Sequence, residues 1–563
     1  MFIVVPEAGQ ARRRVPRLRL RRGLPRMSLE EARRQLRMLS RKDAAMVRRY
    51  RFLPLSHHGL WRPCVVSDAA SERAARCFGG VPVARISPRT LSLAMQDVFG
   101  AQVIDAATWS LARKRPHLSA AWRFRGAQLP VLIALLVAVV AGLWLAPTLV
   151  LVALALVPGS LYLLQASLYL AAALRPLPLA TRPQRLLTDA ELPTCTVLVP
   201  LYRERRVLPQ LFRALARLDY PQEKLDIKLL VEEDDKETRG ALSAYVLPDY
   251  MEVLVVPRGQ PRTKPRALNH GLAFARGDLV CIYDAEDVPH PAQLRTAASI
   301  FAQEPEDLAC LQAPLAWHNV HRNFFTRMIG IEYAAHFHVV LPWLASLGLP
   351  LPLGGTSNHF RLKALVAAGG WDPFNVTEDA DLGLRLARLG WRVSVLERVG
   401  TLEEACETHR AWRHQRARWI KGWLQTLLVH LRNPSHLLKE TGLNGPFVLL
   451  AVLGTGVFGV LLYPLLLGWT LWRLFLAPAP IATLSEAMLF ALSLVVLGAG
   501  HAGAFAVALA GLRRTRQWRL LPWLPLLPVY WLFISAAAWL ALWDFIRRPH
   551  HWRKTEHGRR LLL

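Results

Sequence analysis

Three regimes of hydrophobic spacing alternate along the chain. From Ala127 to Leu174 no residue is charged, a stretch longer than the ~20 residues one helix needs to cross a bilayer. Pro147 and Pro158-Gly159 offer places to turn, and arginines flank both ends (Arg123, Arg125; Arg175, Arg182, Arg185). The pattern predicts a transmembrane hairpin over 127–174 with both ends on the positively charged, cytoplasmic side; its length disfavours a buried soluble helix pair. Between 186 and about 400 short β-rich runs alternate with helical patterns, the signature of a mostly parallel sheet. Strands are expected at Cys195–Tyr202, Ile227–Glu232, Val253–Pro257 and Leu279–Tyr283, with helices over Leu208–Leu218 and Ala267–Arg276. After Leu424 long apolar segments return. Pro446–Leu471 and Met488–Leu512 can each span once, and His501 in the second is expected to pack or hydrogen-bond rather than to ligate. Leu520–Trp543 lies between the basic loop Arg513–Arg519 and the basic tail Arg547–Arg560. It is too short for two spans, so a re-entrant hairpin broken at Pro525 and Pro528 is expected, with a single span as the alternative.

The N-terminal region, 1–125, is arginine-rich and helix-prone. Ser28-Leu-Glu-Glu reads as a helix N-cap with acids in the first turn, and further helical patterns run near Thr90–Phe99 and Ile104–Arg113. Met1 to Ala11 lack the apolar core of a signal peptide.

Composition sharpens this picture. Of 563 residues 53% are hydrophobic while 20% are charged, and the formal net charge is +29, which suits soluble domains joined to membrane spans. No nucleic-acid recognition motif accompanies the positive charge, so an anionic lipid leaflet is the expected partner and nucleic acid is not. The cysteines (Cys64, Cys77, Cys195, Cys281, Cys310, Cys406) are scattered without a C-x-x-C pair, which points to reduced, buried thiols.

The candidate chemistry gathers at strand ends. Two strands stop at carboxylates, Glu233-Asp-Asp235 and Asp284-Ala-Glu-Asp287, and in an open α/β sheet ligands sit beyond the carboxyl ends of the strands. Acids there can hold Mg²⁺ or Mn²⁺, which share oxygen ligands with substrate phosphates; alternatively they face water. Asp379 opens a helical run after Thr377, where an acid also favours the helix dipole. Gln415, Arg418 and Trp419 fall at i, i+3 and i+4, on one helix face, with Trp412 and Trp423 a turn to either side. An interfacial amphipathic helix would look the same.

Taken in order, Val199-Pro-Leu-Tyr-Arg-Glu204, Glu233-Asp-Asp235, Lys264-Pro-Arg-Ala-Leu-Asn269, Asp284-Ala-Glu286, Gly354-Gly-Thr-Ser-Asn358, Thr377-Glu-Asp379 and Gln415-Arg-Ala-Arg-Trp419 make residues 194–425 resemble a family 2 glycosyltransferase of the membrane-integrated, cellulose-synthase-like kind. The resemblance implies a GT-A fold, an α/β Rossmann-like, mostly parallel sheet inserted between transmembrane helices. Its cytosolic domain would cover 186–408, followed by an interfacial helix over 409–432, transmembrane and re-entrant helices over 446–546 and a basic cytoplasmic tail over 547–563. It implies donor contacts from Tyr202, Glu204, Asp234, Asp235, Lys264, Asp284 and Arg418, and a metal, Mg²⁺ or Mn²⁺, on Asp284 and Glu286. Glu286 replaces the family's usual second aspartate, with Asp287 as a substitute. Asp379 would be the general base, and Gly355, Thr356, Ser357, Gln415 and Trp419 would meet the acceptor. The family's aromatic-cysteine start before Gly354 is absent.

The expected protein is an inverting glycosyltransferase of a bacterial inner membrane, multi-pass, with a cytoplasmic catalytic domain. It would use a nucleotide-sugar, expected to be a UDP-sugar, to extend a polysaccharide. Single transfer to a lipid carrier is the rival within enzymes, so the acceptor is a glycan or is lipid-linked; a transferase-like scaffold or receptor component is the rival outside them. An export partner would fit polymer synthesis. Residues 1–125, expected to form a mainly helical domain, faintly resemble the secretion-ATPase N-terminal module, some members of which bind a cyclic dinucleotide. A plain packing or interaction domain is the simpler expectation.

Overall fold

The computed structural model describes residues 24–39, 41–55, 62–67, 69–175, 182–476 and 483–551; most of the arginine-rich start and the tail beyond 551 lie outside them. The chain divides into two units, Met1–Val98 and Phe99–Leu563. In the first, Ser28 caps helix Leu29–Arg37 in a reciprocal box with Glu31, as its sequence foretells. Beside its helices the unit holds a small sheet that the sequence does not foretell. Strands Phe52–Pro54, Arg62–Val66 and Gly80–Arg85 form a sheet, the first pair antiparallel and the second parallel. Phe52, Cys64, Val66 and Ala75 close a small core, and the strands are too short to show a period in sequence. The two helical patterns around Gly100 prove to be one helix, Pro88–Lys114. A single glycine costs a helix only ~1 kcal/mol, and no proline interrupts this run.

In the second unit, seven strands form the main sheet: β1 (Cys195–Leu201), β2 (Leu225–Glu232), β3 (Met251–Val256), β4 (Leu279–Ile282), β5 (Leu308–Gln312), β6 (Asn358–Arg361) and β7 (Arg392–Val395). Their order is β7-β5-β6-β4-β1-β2-β3. All neighbours are parallel except β6, which runs antiparallel between β4 and β5. Every residue of β2, β4 and β5 is buried, as befits strands of a mostly parallel sheet covered on both faces. Lys228 is carried into the core of β2 by ion pairs with Asp226 (2.6 Å) and Glu252. Around the sheet lie α1 (Lys264–Leu272), α2 (Phe324–Ala335), α3 (Glu378–Arg388) and α4 (His409–His430). A second, small sheet joins Thr401–Glu403 to Leu315–Trp317 in parallel and to Val288–Pro289 antiparallel.

Among the described residues five helices are long and apolar enough to cross a membrane: Gln128–Leu145, Leu149–Leu174, Asn444–Leu476, Leu484–Thr515 and Trp518–Arg547. The first exposes its apolar side chains throughout, Trp144 and Leu145 most of all, and such a continuous apolar surface suits lipid rather than water. The chain turns at Pro147, as expected, and runs through Pro158 without breaking. Leu520–Trp543 does not fold back at Pro525 and Pro528. It is 3₁₀-helical over Trp518–Leu526 and α-helical over Leu527–Arg547, because Pro528 falls in the first turn of the new helix, where no amide donor is needed. Within Asn444–Leu476 the segment Leu449–Gly459 is π-helical, a widening common beside functional sites.

Candidate active site

The carboxyl ends of β1, β2 and β4 meet at one edge of the sheet, and α3 and α4 close over it. Beyond β1, the guanidinium groups of Arg203 and Arg262 lie 5.1 and 5.5 Å from the centre of the Tyr202 ring. Arg262 also donates to the Tyr202 hydroxyl (2.9 Å) and pairs with Asp234 (2.6 Å). Sequence reasoning missed Arg262, whose only signal was a basic run just before α1. Glu204 lines the cavity described below. Asp235, by contrast, is spent on backbone: its carboxylate accepts from the amides of Thr238 (3.1 Å) and Arg203, capping helix Lys236–Ser243. Of the two expected acids, Asp234 is the one left beside Tyr202.

At the end of β4, Lys264 from α1 reaches both the Asp284 carboxylate and the Gly355 carbonyl (2.7 Å). Burial pulls the Lys264 pKa down, but Asp284 and then Glu378 outweigh it and hold it above its ordinary value. Glu286 also faces the cavity. Asp287 turns the other way. It accepts from the Thr356 hydroxyl (2.5 Å) and the Asp284 amide (2.8 Å), and burial, then Asp284 and Glu286, push its pKa well above the carboxylate range. It shapes the loop and cannot stand in for Glu286. Gly354, Gly355 and Thr356 line the cavity. Ser357 does not: it is buried, with its hydroxyl 2.6 Å from that of Thr401, because a left-handed backbone at φ 57° turns its side chain into the core.

Glu378 and Asp379 open α3 beneath this loop. Burial pushes Glu378 up to about 7, with Asp379 adding to the rise and Lys264 opposing it. Burial also raises Asp379, against the Ala380 amide (2.8 Å), Lys264 and Arg418. Gly422 of α4 packs so tightly on Thr377 that a Cβ there would lie 2.1 Å from the threonine hydroxyl. This contact brings Gln415, Arg418, Trp419 and Trp423 to the cavity wall. Arg418 donates weakly to the Val376 carbonyl (3.4 Å). Arg416, which sequence reasoning passed over, anchors the helix through Glu332 (2.7 Å) and the Tyr530 hydroxyl (2.9 Å), with its guanidinium 4.8 Å from the Trp419 ring centre. Trp412 is fully buried, donating to Tyr530 (3.3 Å). From the far side Lys421 and Gln425 donate to the carbonyls of His551 (2.8 Å) and Pro549 (3.2 Å), so the first residues of the tail brace α4.

The lining residues share one cavity of about 470 Å³. It runs from Tyr202, Lys264 and Asp284 past Asp379 and Trp419 to Tyr162, Tyr463, His501 and Trp531 on the apolar helices. His501 bonds the Leu497 carbonyl (2.5 Å) and Tyr463 (3.3 Å), a hydrogen-bonding residue as expected, though one on the wall. Among the described residues no group of three or more His, Cys, Asp or Glu is arranged as a metal cage. Glu403, unremarked in the sequence, also faces the cavity; burial and then Asp287, Asp284 and Glu286 raise its pKa well above the usual range. The described cysteines are all free, and all but Cys77 are buried.

Residues 193–422, which hold every motif named above, match the family described as glycosyltransferase like family 2. Over this region the chain is similar to family 2 glycosyltransferase domains. Over 239 residues the chain is 27% identical to the probable glycosyltransferase YdaM of Bacillus subtilis (strain 168), covering 41% of this chain and 56% of that protein. Over 242 residues it is 30% identical to the beta-monoglucosyldiacylglycerol synthase of Synechocystis sp., covering 43% of this chain and 50% of that protein. The chain thus spans about half the length of the curated relatives it matches. Among solved structures it is similar to the mannosyltransferase PcManGT from Pyrobaculum calidifontis in complex with GDP-Man and Mn²⁺, with 20% identity and a TM-score of 0.42 over 70% of this chain and 98% of that one.

Proposed function

We propose that the protein is a membrane-bound, inverting glycosyltransferase that moves a sugar from a nucleotide-sugar, a UDP-sugar in the first instance, onto a membrane-associated acceptor. The observation that carries this reading is the single cavity joining the strand-end acids to the apolar helices. Tyr202, whose hydroxyl Arg262 fixes, would lie against a nucleobase, and Glu204, with Asp234 behind Arg262, would take ribose hydroxyls. Asp284 and Glu286 would hold Mg²⁺ or Mn²⁺, which takes one or two protein carboxylates alongside substrate phosphates and water; when bound, the cation neutralises charge on the departing diphosphate. Lys264 and Arg418 add fixed positive charge at the same place. Asp379 accepts the proton of the acceptor hydroxyl as it attacks, and one such displacement inverts the anomeric centre. Trp419 offers the face on which an acceptor sugar stacks, and Gln415 and the Gly355–Thr356 backbone would orient it.

Two acceptors fit this arrangement. Repeated addition to a glycan accords with the aromatic groups along the cavity, Trp419, Trp423, Tyr463 and Trp531. Single transfer to a lipid accords with the apolar far end and with the relative named as a glucosyldiacylglycerol synthase. The basic flanks of the spans favour a cytoplasmic catalytic domain at a bacterial plasma membrane. Nucleotide release by the detergent-purified protein, across a panel of nucleotide-sugars with added Mg²⁺ or Mn²⁺, tests the reading. Turnover with one sugar supports it, product length separates the two acceptors, and absence of both binding and turnover across the panel sinks it in favour of a scaffold.

A further inference from the structure

Buried polar atoms in native proteins almost always have partners, because an orphan costs roughly 1–3 kcal/mol. Several atoms on residues lining this cavity have none: Trp317 Nε1, Thr377 Oγ1, Glu403 Oε1, Gln415 Oε1 and Arg418 Nε. Three belong to motifs already discussed, but Trp317 and Glu403 belong to none. These two are register partners in the small sheet, where Leu315, Ala316 and Trp317 pair with Thr401, Leu402 and Glu403. Because side chains alternate along a strand, Glu403 shares its face with Thr401, which is buried, while Leu402 points out and is 41% exposed. One orphan is a donor and the other an acceptor. A single hydroxyl group, which both accepts and donates, is the group that satisfies such a pair.

Their position says which hydroxyl. Glu403 lies in the field of Asp284, Glu286 and Lys264, at the diphosphate end. Trp317 packs on Tyr333, with ring centres 4.6 Å apart, and Tyr333 stands 6.3 Å from Trp419, at the acceptor end. The pair therefore sits between leaving group and acceptor, where the sugar in transit belongs. Resting on the glycosyltransferase reading, we propose that Trp317 and Glu403 hydrogen-bond a hydroxyl of the transferred sugar and so set which nucleotide-sugar is accepted. A site built to bond a substrate hydroxyl rejects analogues that misplace it far more strongly than an apolar pocket rejects a methylene.

The test compares wild type, Trp317→Phe and Glu403→Gln in full-length protein. Binding of free UDP is measured beside binding and turnover of UDP-glucose, its 4-epimer UDP-galactose, UDP-N-acetylglucosamine and GDP-mannose. In both variants the preference among sugars should narrow by about tenfold or more, while affinity for free UDP and thermal stability hold. Trp317→Phe keeps an aromatic ring but loses the donor together with part of the indole's bulk, so thermal stability reports the packing loss, and a merely structural tryptophan would leave the sugar preference untouched. An unchanged preference, or a loss of UDP affinity in parallel with it, overturns the proposal while the enzyme reading stands. Wild type that binds neither nucleotide nor nucleotide-sugar overturns both.

Discussion

Two arginines two residues apart on α4 have opposite duties. Arg416 is tied to Glu332, Tyr530 and the Trp419 ring, whereas Arg418 makes one weak bond and turns its positive charge to the cavity. Arg416→Met should destabilise the protein by roughly 1–3 kcal/mol, the cost of leaving its hydrogen-bond partners without their donor, and so lower its melting temperature. Arg418→Met should leave melting nearly unchanged and abolish most turnover; equal effects of the two would contradict this division. Glu378 gives a pH signature. Its folded-state pKa is about 7 against an ordinary 4.5, so the native protein holds this proton more tightly than the unfolded chain does. The stability it contributes is present below pH 4.5 and is lost as pH rises towards 7, by roughly 3 kcal/mol at most. Glu378→Gln should flatten that decline, measured as melting temperature against pH. Asp379 must be ionised to act, and burial raises it, so the acid limb of kcat/KM should lie above the ordinary aspartate range. Much at this scale was legible. Asp284, Asp379 and Trp419 could be located because strand ends and helix spacing are local properties, whereas Lys264 came only from the family resemblance. Asp235, Asp287 and Ser357 misled because backbone amides and a left-handed turn claim their side chains, and no spacing rule reports that.

The elements position these residues through close contacts that leave no slack. α3 and α4 meet where Gly422 lies against Thr377, immediately before Glu378 and Asp379. Alanine is the better helix former by ~1 kcal/mol, yet its methyl would occupy the threonine's place and push the helices apart. Gly422→Ala should therefore cut turnover about 10- to 100-fold with donor affinity largely kept, the effect of an ångström-scale shift between the base and the groups around it. Turnover within twofold of wild type would contradict this. Strands β1 to β4 could be read from the sequence because buried parallel strands are short apolar runs. β6, the antiparallel strand between β4 and β5, could not, because Asn358-His-Phe-Arg361 has no such pattern and owes its place to neighbours distant in sequence. The same holds for the strand ending at Glu403, whose pairing with Trp317 bridges a long stretch of chain. Arg416 escaped for a similar reason: its partners come from α2 and the last apolar helix.

At the scale of the whole molecule, the apolar helices do more than anchor the catalytic domain. Leu484–Thr515 presents Val496, Gly500, Ala504 and Val507 along one stripe to the cavity, and the π-helical stretch opposite adds Val452, Thr455 and Gly456. The acceptor side of the site is thus walled by helices that hydropathy alone marks only as spans. Hydropathy found where the apolar segments lie but left the last one open between a hairpin and a single span, and what they enclose depends on packing between segments hundreds of residues apart. The central claim is that Asp379 performs the proton transfer at a site whose binding is otherwise complete. It is tested most directly by Asp379→Asn, with nucleotide-sugar affinity and steady-state turnover measured on the same preparation. Affinity within a few-fold of wild type with turnover down by about 10²–10⁴, the usual contribution of a general base, is the predicted result. Turnover retained in the mutant, with binding intact, would contradict the account.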